Sequence, residues 1–410
     1  MRILFWLIAA LGGSLACFPA ENAPKLGRWC CISDAEVEKC QALAHVASRV
    51  VTSNETVNLT CVRGDGVTDC MSRIQRDEAD LVTLGEEDIY IAGAKYGLRP
   101  VVAEDYGSKD KHIHYAVALV RSTTTVNITT LKGAITCHPR AEDMIGWKIP
   151  VGFLIWKKLM QRKDCDVYNS AGEFFGKSCV PGVFDAANNL NNTKLPSLCG
   201  ACSNPTCPGD ESERYYGYNG SYVCLVEGRG EVAFVRHTTV FEYTGVINDL
   251  NPGFDFKLLC PDGTVKGVGY YEECNLATIP ARVVMTTDSS PDFCRVRRYR
   301  SFLLEFQSIL LENQTLFDLF NSSVYNGTDL LFKDTTKRLV DVYDRNTTEK
   351  WLGERYYGAL NALNSCELPT VVTRTVSSSG QTRPRNYTGV QALMLVLWYL
   401  GYYNQIWNIW

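Results

Sequence analysis

Apolar and polar positions divide the middle of the chain into alternating helical and extended segments. From Asp34 to Val50, the residues Val37, Leu43, Ala44, Ala47 and Val50 fall on one helical face, with Asp34 placed to cap the start. Leu98 to Asp105, His114 to Arg121, Glu231 to His237 and Arg282 to Thr287 are short β-rich runs. Val117, Leu119 and Val120 make the second run nearly continuously apolar, as a strand covered on both faces would be. Arg297 to Glu312 and Lys350 to Leu363 carry the helical period. Strands alternating with helices predict an α/β fold with crossover helices. No repeat of about 20–50 residues is present.

The two ends differ from this middle. Met1-Arg2, the apolar run Ile3 to Leu11 and the small residues of Ser14-Leu15-Ala16 predict a signal peptide over 1–16. After Cys366 the composition breaks, with a Ser/Thr-rich linker over 367–380 and an apolar tail over 381–410. Ser378-Ser379-Gly380, a polar spacer and a terminal apolar run fit a GPI-attachment signal, and a plain secreted amphipathic tail is the alternative. No Lys or Arg follows the apolar run as a cytoplasmic anchor, so a membrane contact is expected only through a lipid. Asn-X-Ser/Thr acceptors stand at Asn54, Asn58, Asn127, Asn191, Asn219, Asn313, Asn321, Asn326, Asn346 and Asn386, the last relevant if the tail is retained. A chain of this kind is expected to be secreted or held at the cell surface.

Composition sharpens the picture. A chain of 410 residues with 46% apolar and 21% charged side chains folds as two compact units or as one large α/β unit with a waist. The net charge of −4 excludes the basic footprint of a nucleic-acid binder. Seventeen cysteines suit an oxidising compartment. There Cys199-Gly200-Ala201-Cys202 reads as structural half-cystines rather than a redox pair. Zinc is disfavoured because no His has finger-like spacing. The histidines are His45, His112, His114, His138 and His237, and no nucleophile elbow, zinc-protease helix or phosphate loop accompanies them. No enzyme is expected. Arg63-Gly64-Asp65 lies between Cys61 and Cys70; it is either a charged surface turn or an integrin-type adhesion loop.

Nine segments then carry a resemblance. Arg28-Trp29-Cys30, Ile32 to Cys40, Pro100 to Glu104, Tyr115 to Val120, Gly146 to Gly152, Tyr215 to Tyr218, Glu231 to His237, Asp329 to Asp334 and Trp351-Leu352-Gly353 resemble, in order, segments of the transferrin family. Cys137-His138-Pro139-Arg140 and Ser178 to Val183 are similar to the matrix-protein and melanotransferrin branches of that family. The resemblance implies a disulfide-braced, transferrin-like (periplasmic-binding-protein-like) lobe over 27–366. Its two α/β subdomains would surround a cleft: subdomain one over 27–114 plus 280–366, and subdomain two over 115–279. It also implies the pairs Cys30–Cys70, Cys40–Cys61, Cys137–Cys224, Cys165–Cys366, Cys179–Cys202, Cys199–Cys207 and Cys260–Cys274. Cys31 and Cys294 are left over if Cys17 leaves with the signal; they either pair with each other or leave a free thiol.

A lobe of this family holds ferric iron with one Asp, two Tyr and one His, and a synergistic carbonate with a Thr, an Arg and a helix N-terminus. Carried over, the Asp position is Gly85, the Tyr positions are His114 and Tyr218, and the His position is Arg282. The carbonate Thr and Arg positions are Pro139 and Asp143. Hard trivalent iron needs anionic oxygen donors, and here one of four ligands remains. No cofactor is therefore expected, and ferric iron with carbonate least of all. Arg282 is expected to reach Asp143 or one of Glu86, Glu87 and Asp88 in an ion pair that closes the cleft without metal. A divalent ion on His114, Tyr218 and one of those carboxylates is the other use of the remains. The resemblance thus points to a metal-free glycoprotein of an extracellular, otolith-like, biomineral matrix, with matrix proteins and mineral as partners. The alternative is a GPI-anchored carrier of iron or another metal at the cell surface.

Overall fold

The computed structural model describes residues 26–49, 57–107, 113–163, 165–188, 195–244, 255–287, 294–313 and 315–366. The signal segment, the linker and tail, His112, Asn54, Asn191 and Asn386 lie outside them.

The amino-terminal half opens with β1 (Leu26–Cys31), α1 (Asp34–Ala47), β2 (Asn58–Arg63), α2 (Val67–Gln75), β3 (Val82–Leu84), α3 (Glu86–Tyr96) and β4 (Leu98–Asp105). Ser33, not Asp34, caps α1: its hydroxyl accepts from Glu36 N at 3.1 Å, and Asp34 is the first helical residue. Both residue types cap well, but the cap must lie one residue before the first helical turn. β5 (Tyr115–Arg121), β6 (Thr136–Cys137), a wide helical turn over 144–148 that runs into α4 (Ile149–Trp156), α5 (Val167–Phe174), α6 (Gly217–Val226), β7 (Val232–Arg236) and α7 (Thr239–Thr244) follow. The chain continues through β8 (Phe256–Leu259), β9 (Val265–Gly267), β10 (Ala277–Thr278), β11 (Val283–Thr287) and α8 (Arg295–Glu312). It then forms β12 (Arg338–Asp341), α9 (Thr348–Leu352) and α10 (Glu354–Asn364). The helical pattern read as one segment from Lys350 is split at Gly353, whose φ of 77° no helix accommodates.

Three sheets organise these strands among the described residues. β1 and β2 pair in parallel. A second sheet has the order β12-β4-β11-β3, antiparallel throughout. A third runs β6-β7-β5-β8-β9, with β10 also on β5; only the β6–β7 pair is parallel. Helices and strands do alternate, yet most neighbours are antiparallel, because strands distant in sequence return to pair with β4 and β5. β5 is central and buried from Tyr115 to Val120, as its unbroken apolar run requires.

Among the described residues, seven disulfides join Cys30–Cys70, Cys40–Cys61, Cys137–Cys224, Cys165–Cys366, Cys179–Cys202, Cys199–Cys207 and Cys260–Cys274. The pairing of Cys31 with Cys294 is not made. Cys31 is free and buried, and Cys294 is itself disulfide-bonded, so it is not left for Cys31. The reason is strand alternation: Cys30 turns toward its partner on α2, while Cys31 faces the core of Trp29, Leu43 and Phe332. Burial pushes the Cys31 thiol up to about 12.

Candidate functional site

Gly85 follows β3 and caps α3 with an extended backbone (φ −87°). It offers no donor, but the space beside it is open: a Cβ there would meet no heavy atom within 4 Å. Glu86, Glu87 and Asp88 form the first turn of α3, where the helix dipole favours carboxylates. Burial, then Glu87 and Glu86, hold the Asp88 carboxyl above the usual range. His114 lies immediately before β5, where the chain runs beside its own return, with Ile279 N donating to His114 O at 2.8 Å. Its ring is half-buried, and Nδ1 has no hydrogen-bond partner. Burial first, then Arg236 and Lys333, lower its pKa. His237 sits 6.2 Å away, centroid to centroid, and its Nδ1 accepts from Tyr115 N at 3.2 Å.

The second cluster is built at the start of the 144–156 helical segment. Asp143 caps it, its Oδ1 accepting from Gly146 N at 2.7 Å. Tyr218, the second residue of α6, donates its hydroxyl to the same carboxylate, 3.0 Å from Oδ1 and 3.2 Å from Oδ2. Burial, followed by the charge of Asp143, keeps that phenol protonated far above its ordinary range. The Arg236 guanidinium lies over the Tyr218 ring at 5.0 Å. Pro139 fixes the other wall: Gly217 N donates to its carbonyl at 2.8 Å, and its ring packs so close to Gly146 that a Cβ there would sit 2.1 Å from Cδ. His138, just before it, is fully buried; Nδ1 donates to Gly146 O (2.7 Å) and Nε2 accepts from Thr136 Oγ1 (2.8 Å). That ring is structural.

Arg282 does not bridge the two clusters. Its Nε lies 3.9 Å from Glu104 Oε1, and its Nη1 donates to Asp329 O at 3.2 Å. No ion pair joins it to Asp143, Glu86, Glu87 or Asp88. The physical reason is register. Val283 pairs with Ala103, so the Glu104 carboxylate emerges beside Arg282 and is buried, with Oε1 lacking a hydrogen bond of its own. A desolvated carboxylate takes the adjacent cation before one across a cleft. Glu104 is the residue the sequence pattern missed; a charge ending the apolar run Val101 to Ala103 was its one signal. Arg236 was passed over in the same way, as the last residue of β7.

Comparison with known proteins decides the family. The transferrin family profile matches residues 27–365. The chain belongs to the transferrin family. It is 40% identical to human melanotransferrin over 367 residues, which are 86% of this chain and 48% of that protein. It is 37% identical to zebrafish otolith matrix protein 1 over 352 residues, 83% of this chain and 92% of that protein. It is 34% identical to the serotransferrin of Paralichthys olivaceus over 350 residues, 84% of this chain and 46% of that protein. The chain thus spans about half of the melanotransferrins it matches and nearly all of the otolith matrix protein.

The remaining positions of this transferrin-family chain fall as follows. Cys199, Cys202 and Cys207, and Cys179, Cys202 and Glu213, lie close enough to share a metal, but every one of those sulfurs is in a disulfide. No such group of three His, Cys or carboxylate donors gathers at His114 among the described residues. Gly64 is buried against the Cys30–Cys70 sulfurs, and Arg63 is held by Asp34 at 2.7 Å, leaving Asp65 exposed. Asn58, Asn219, Asn313, Asn321 and Asn326 are exposed; Asn127 and Asn346 are partly buried. His45 is exposed at the end of α1. No helix among the described residues is long and apolar enough to cross a membrane.

Proposed function

We propose that this chain is a secreted, glycosylated transferrin lobe that has exchanged its iron and carbonate sites for internal contacts. In this reading it serves as a structural or interaction component of an extracellular, otolith-like matrix. The observation that carries the reading is the Asp143 carboxylate. It accepts from a helix N-terminus and from Tyr218, where the family would place a separate anion and a phenolate ligand. The donor set does not fit ferric iron: Gly85 has no donor, His114 is neutral, Tyr218 is a protonated donor, and Arg282 is a cation tied to Glu104. The strand pairings, with 115–279 building one sheet and the flanking segments the others, support subdomain one at 27–114 plus 280–366 and subdomain two at 115–279. Family membership supports a binding protein rather than an enzyme. The match over 92% of otolith matrix protein 1 supports matrix proteins and mineral as partners. Integrin contact through Arg63-Gly64-Asp65 would require Arg63 to leave Asp34.

Titration with ferric iron and bicarbonate tests the proposal. No tyrosinate-to-iron absorption band is expected; a strong band with one iron bound overturns it. The second reading is a GPI-anchored metal carrier at the cell surface, favoured by the unpartnered Nδ1 of His114 and the match to melanotransferrin. Release of the protein by phospholipase, together with saturable binding of a divalent ion lost in His114→Ala, would support that second reading instead.

A further inference from the structure

The end of α8 and the loop after it carry an apolar groove of about 140 Å³, lined by Leu310, Leu311, Phe317, Leu319 and Phe320. Leu311 and Leu316 are 47% and 49% exposed. The loop is not loose. Lys39, buried in α1, donates to Ser322 Oγ and to Leu330 O, and Leu331 N donates to Glu36. An exposed apolar surface held in a fixed shape calls for a cover. The groove is far too small for a stable protein interface, which buries roughly 1,200 Å² or more.

Two glycosylation acceptors bracket this groove. Asn313 is the exposed C-cap of α8, one turn beyond Leu310. Asn321 is exposed and follows Phe320 directly. Its Oδ1 accepts from Ser323 N (2.9 Å) and Ser323 Oγ (2.7 Å), while Nδ2, the atom that would bear a sugar, makes no hydrogen bond. We infer that N-linked glycan on Asn313 and Asn321 covers the groove, the first sugar laying its C–H face on Phe317, Phe320 and the exposed leucines. The glycans are then part of the folded surface and not only a solubilising fringe. This inference rests on the proposed secretion of the chain.

The test uses the full chain secreted from glycosylation-competent cells. Peptide mass spectrometry reads occupancy, and fluorescence of anilinonaphthalene sulfonate reads exposed apolar surface. Asn313→Gln with Asn321→Gln is expected to raise that fluorescence about threefold, while Asn219→Gln leaves it unchanged. Adding Leu311→Lys and Leu316→Lys to the double variant should return it to the original level. If the double variant is not secreted, peptide N-glycosidase acting on the folded protein gives the same comparison. Empty acceptors at Asn313 and Asn321 with glycan elsewhere overturn the inference. So does full occupancy with no change of fluorescence on removal. A chain with no glycan at any acceptor overturns the secretory reading itself.

Discussion

The Tyr218 hydroxyl donates to the Asp143 carboxylate, and that carboxylate in turn caps the helical segment beginning at Met144. One acidic side chain thus receives from a phenol and from a helix N-terminus at once. Hydrogen bonds to a charged acceptor are worth about 1.5–3 kcal/mol. Tyr218→Phe is expected to lower unfolding free energy by about that much, read from urea titration with an unchanged m-value. A loss near zero would mean that the contact is not maintained in solution.

The leftover cysteines give a covalent prediction. Seven bonds use fourteen of the seventeen cysteines, Cys31 is free and Cys294 is disulfide-bonded, so by sequence count Cys17 is the candidate partner that peptide mapping can test. Peptide mapping without reduction is expected to show Cys17–Cys294, with the signal cut after Ala16. Cys31 should resist alkylation until the chain unfolds, since burial keeps its thiol protonated. Rapid labelling of Cys31 in the folded protein, or a mature chain starting beyond Cys17, would contradict this.

Two buried histidines set the response to acid. Burial pushes His138 down to about 4 and His237 down to about 3. Both remain neutral in the fold while the unfolded chain binds protons from about pH 6.5 downward. Their depressed pKa values therefore add stability above about pH 6.5, and that stability is lost as pH falls. The slope is about 1.4 kcal/mol per pH unit for each histidine once the unfolded imidazole is charged. Denaturant titrations between pH 7 and 5 should show unfolding stability falling steadily, with proton uptake on unfolding of about two from this pair and a further share from His114, whose pKa is also lowered. A flat profile would rule this out.

Much of the frame was legible because apolar runs mark buried strands. Leu98–Asp105 is read to its ends, and β5 and β11 to within a residue. Sheet order was not legible, since no local pattern says that β4 lies between β12 and β11. The same blindness hid the site's pairing. Alternation along β4 does not reveal that Glu104 points inward, so the family resemblance directs Arg282 to Asp143 or to Glu86, Glu87 and Asp88 while its ion-pair partner stands on the neighbouring strand. Asp143 and Tyr218 were visible only through family resemblance, and their mutual hydrogen bond only through structure.

Glu104 makes the Arg282 contact testable. Burial raises its carboxyl above the ordinary range, and Arg282 is the leading influence that lowers it. Arg282→Met would leave a buried carboxylate without its cation, a change costing about 3–5 kcal/mol at neutral pH. The Glu104 carboxyl would then rise further. A raised folded pKa adds stability below the unfolded value and loses it as pH rises through the folded one. The deficit of Arg282→Met should therefore shrink on acidification toward pH 5, and Glu104→Gln in the same chain should remove most of it. A deficit that is independent of pH and unaffected by Glu104→Gln would place the guanidinium's role elsewhere.

Restoring the family's donor set tests the proposed loss of the metal site. Gly85→Asp is sterically free, because nothing lies within 4 Å of the new Cβ and the backbone there is extended. Asp143→Arg removes the built-in anion and returns a cation to the helix N-terminus, releasing Tyr218 to lose its proton to a metal. His114→Tyr and Pro139→Thr supply a second phenol and a hydroxyl, and Arg282→His replaces a fixed cation by a ligand. None of these changes alone should give an iron band, since a hard trivalent ion needs the anionic oxygens together. The five combined are expected to bind ferric iron only when bicarbonate is present, read as a visible tyrosinate-to-iron band. Asp143→Arg is the decisive member: the other four without it should stay colourless, because the Asp143 carboxylate would still occupy the anion's place. Iron binding by those four changes alone would refute the internal-anion explanation while leaving the fold intact.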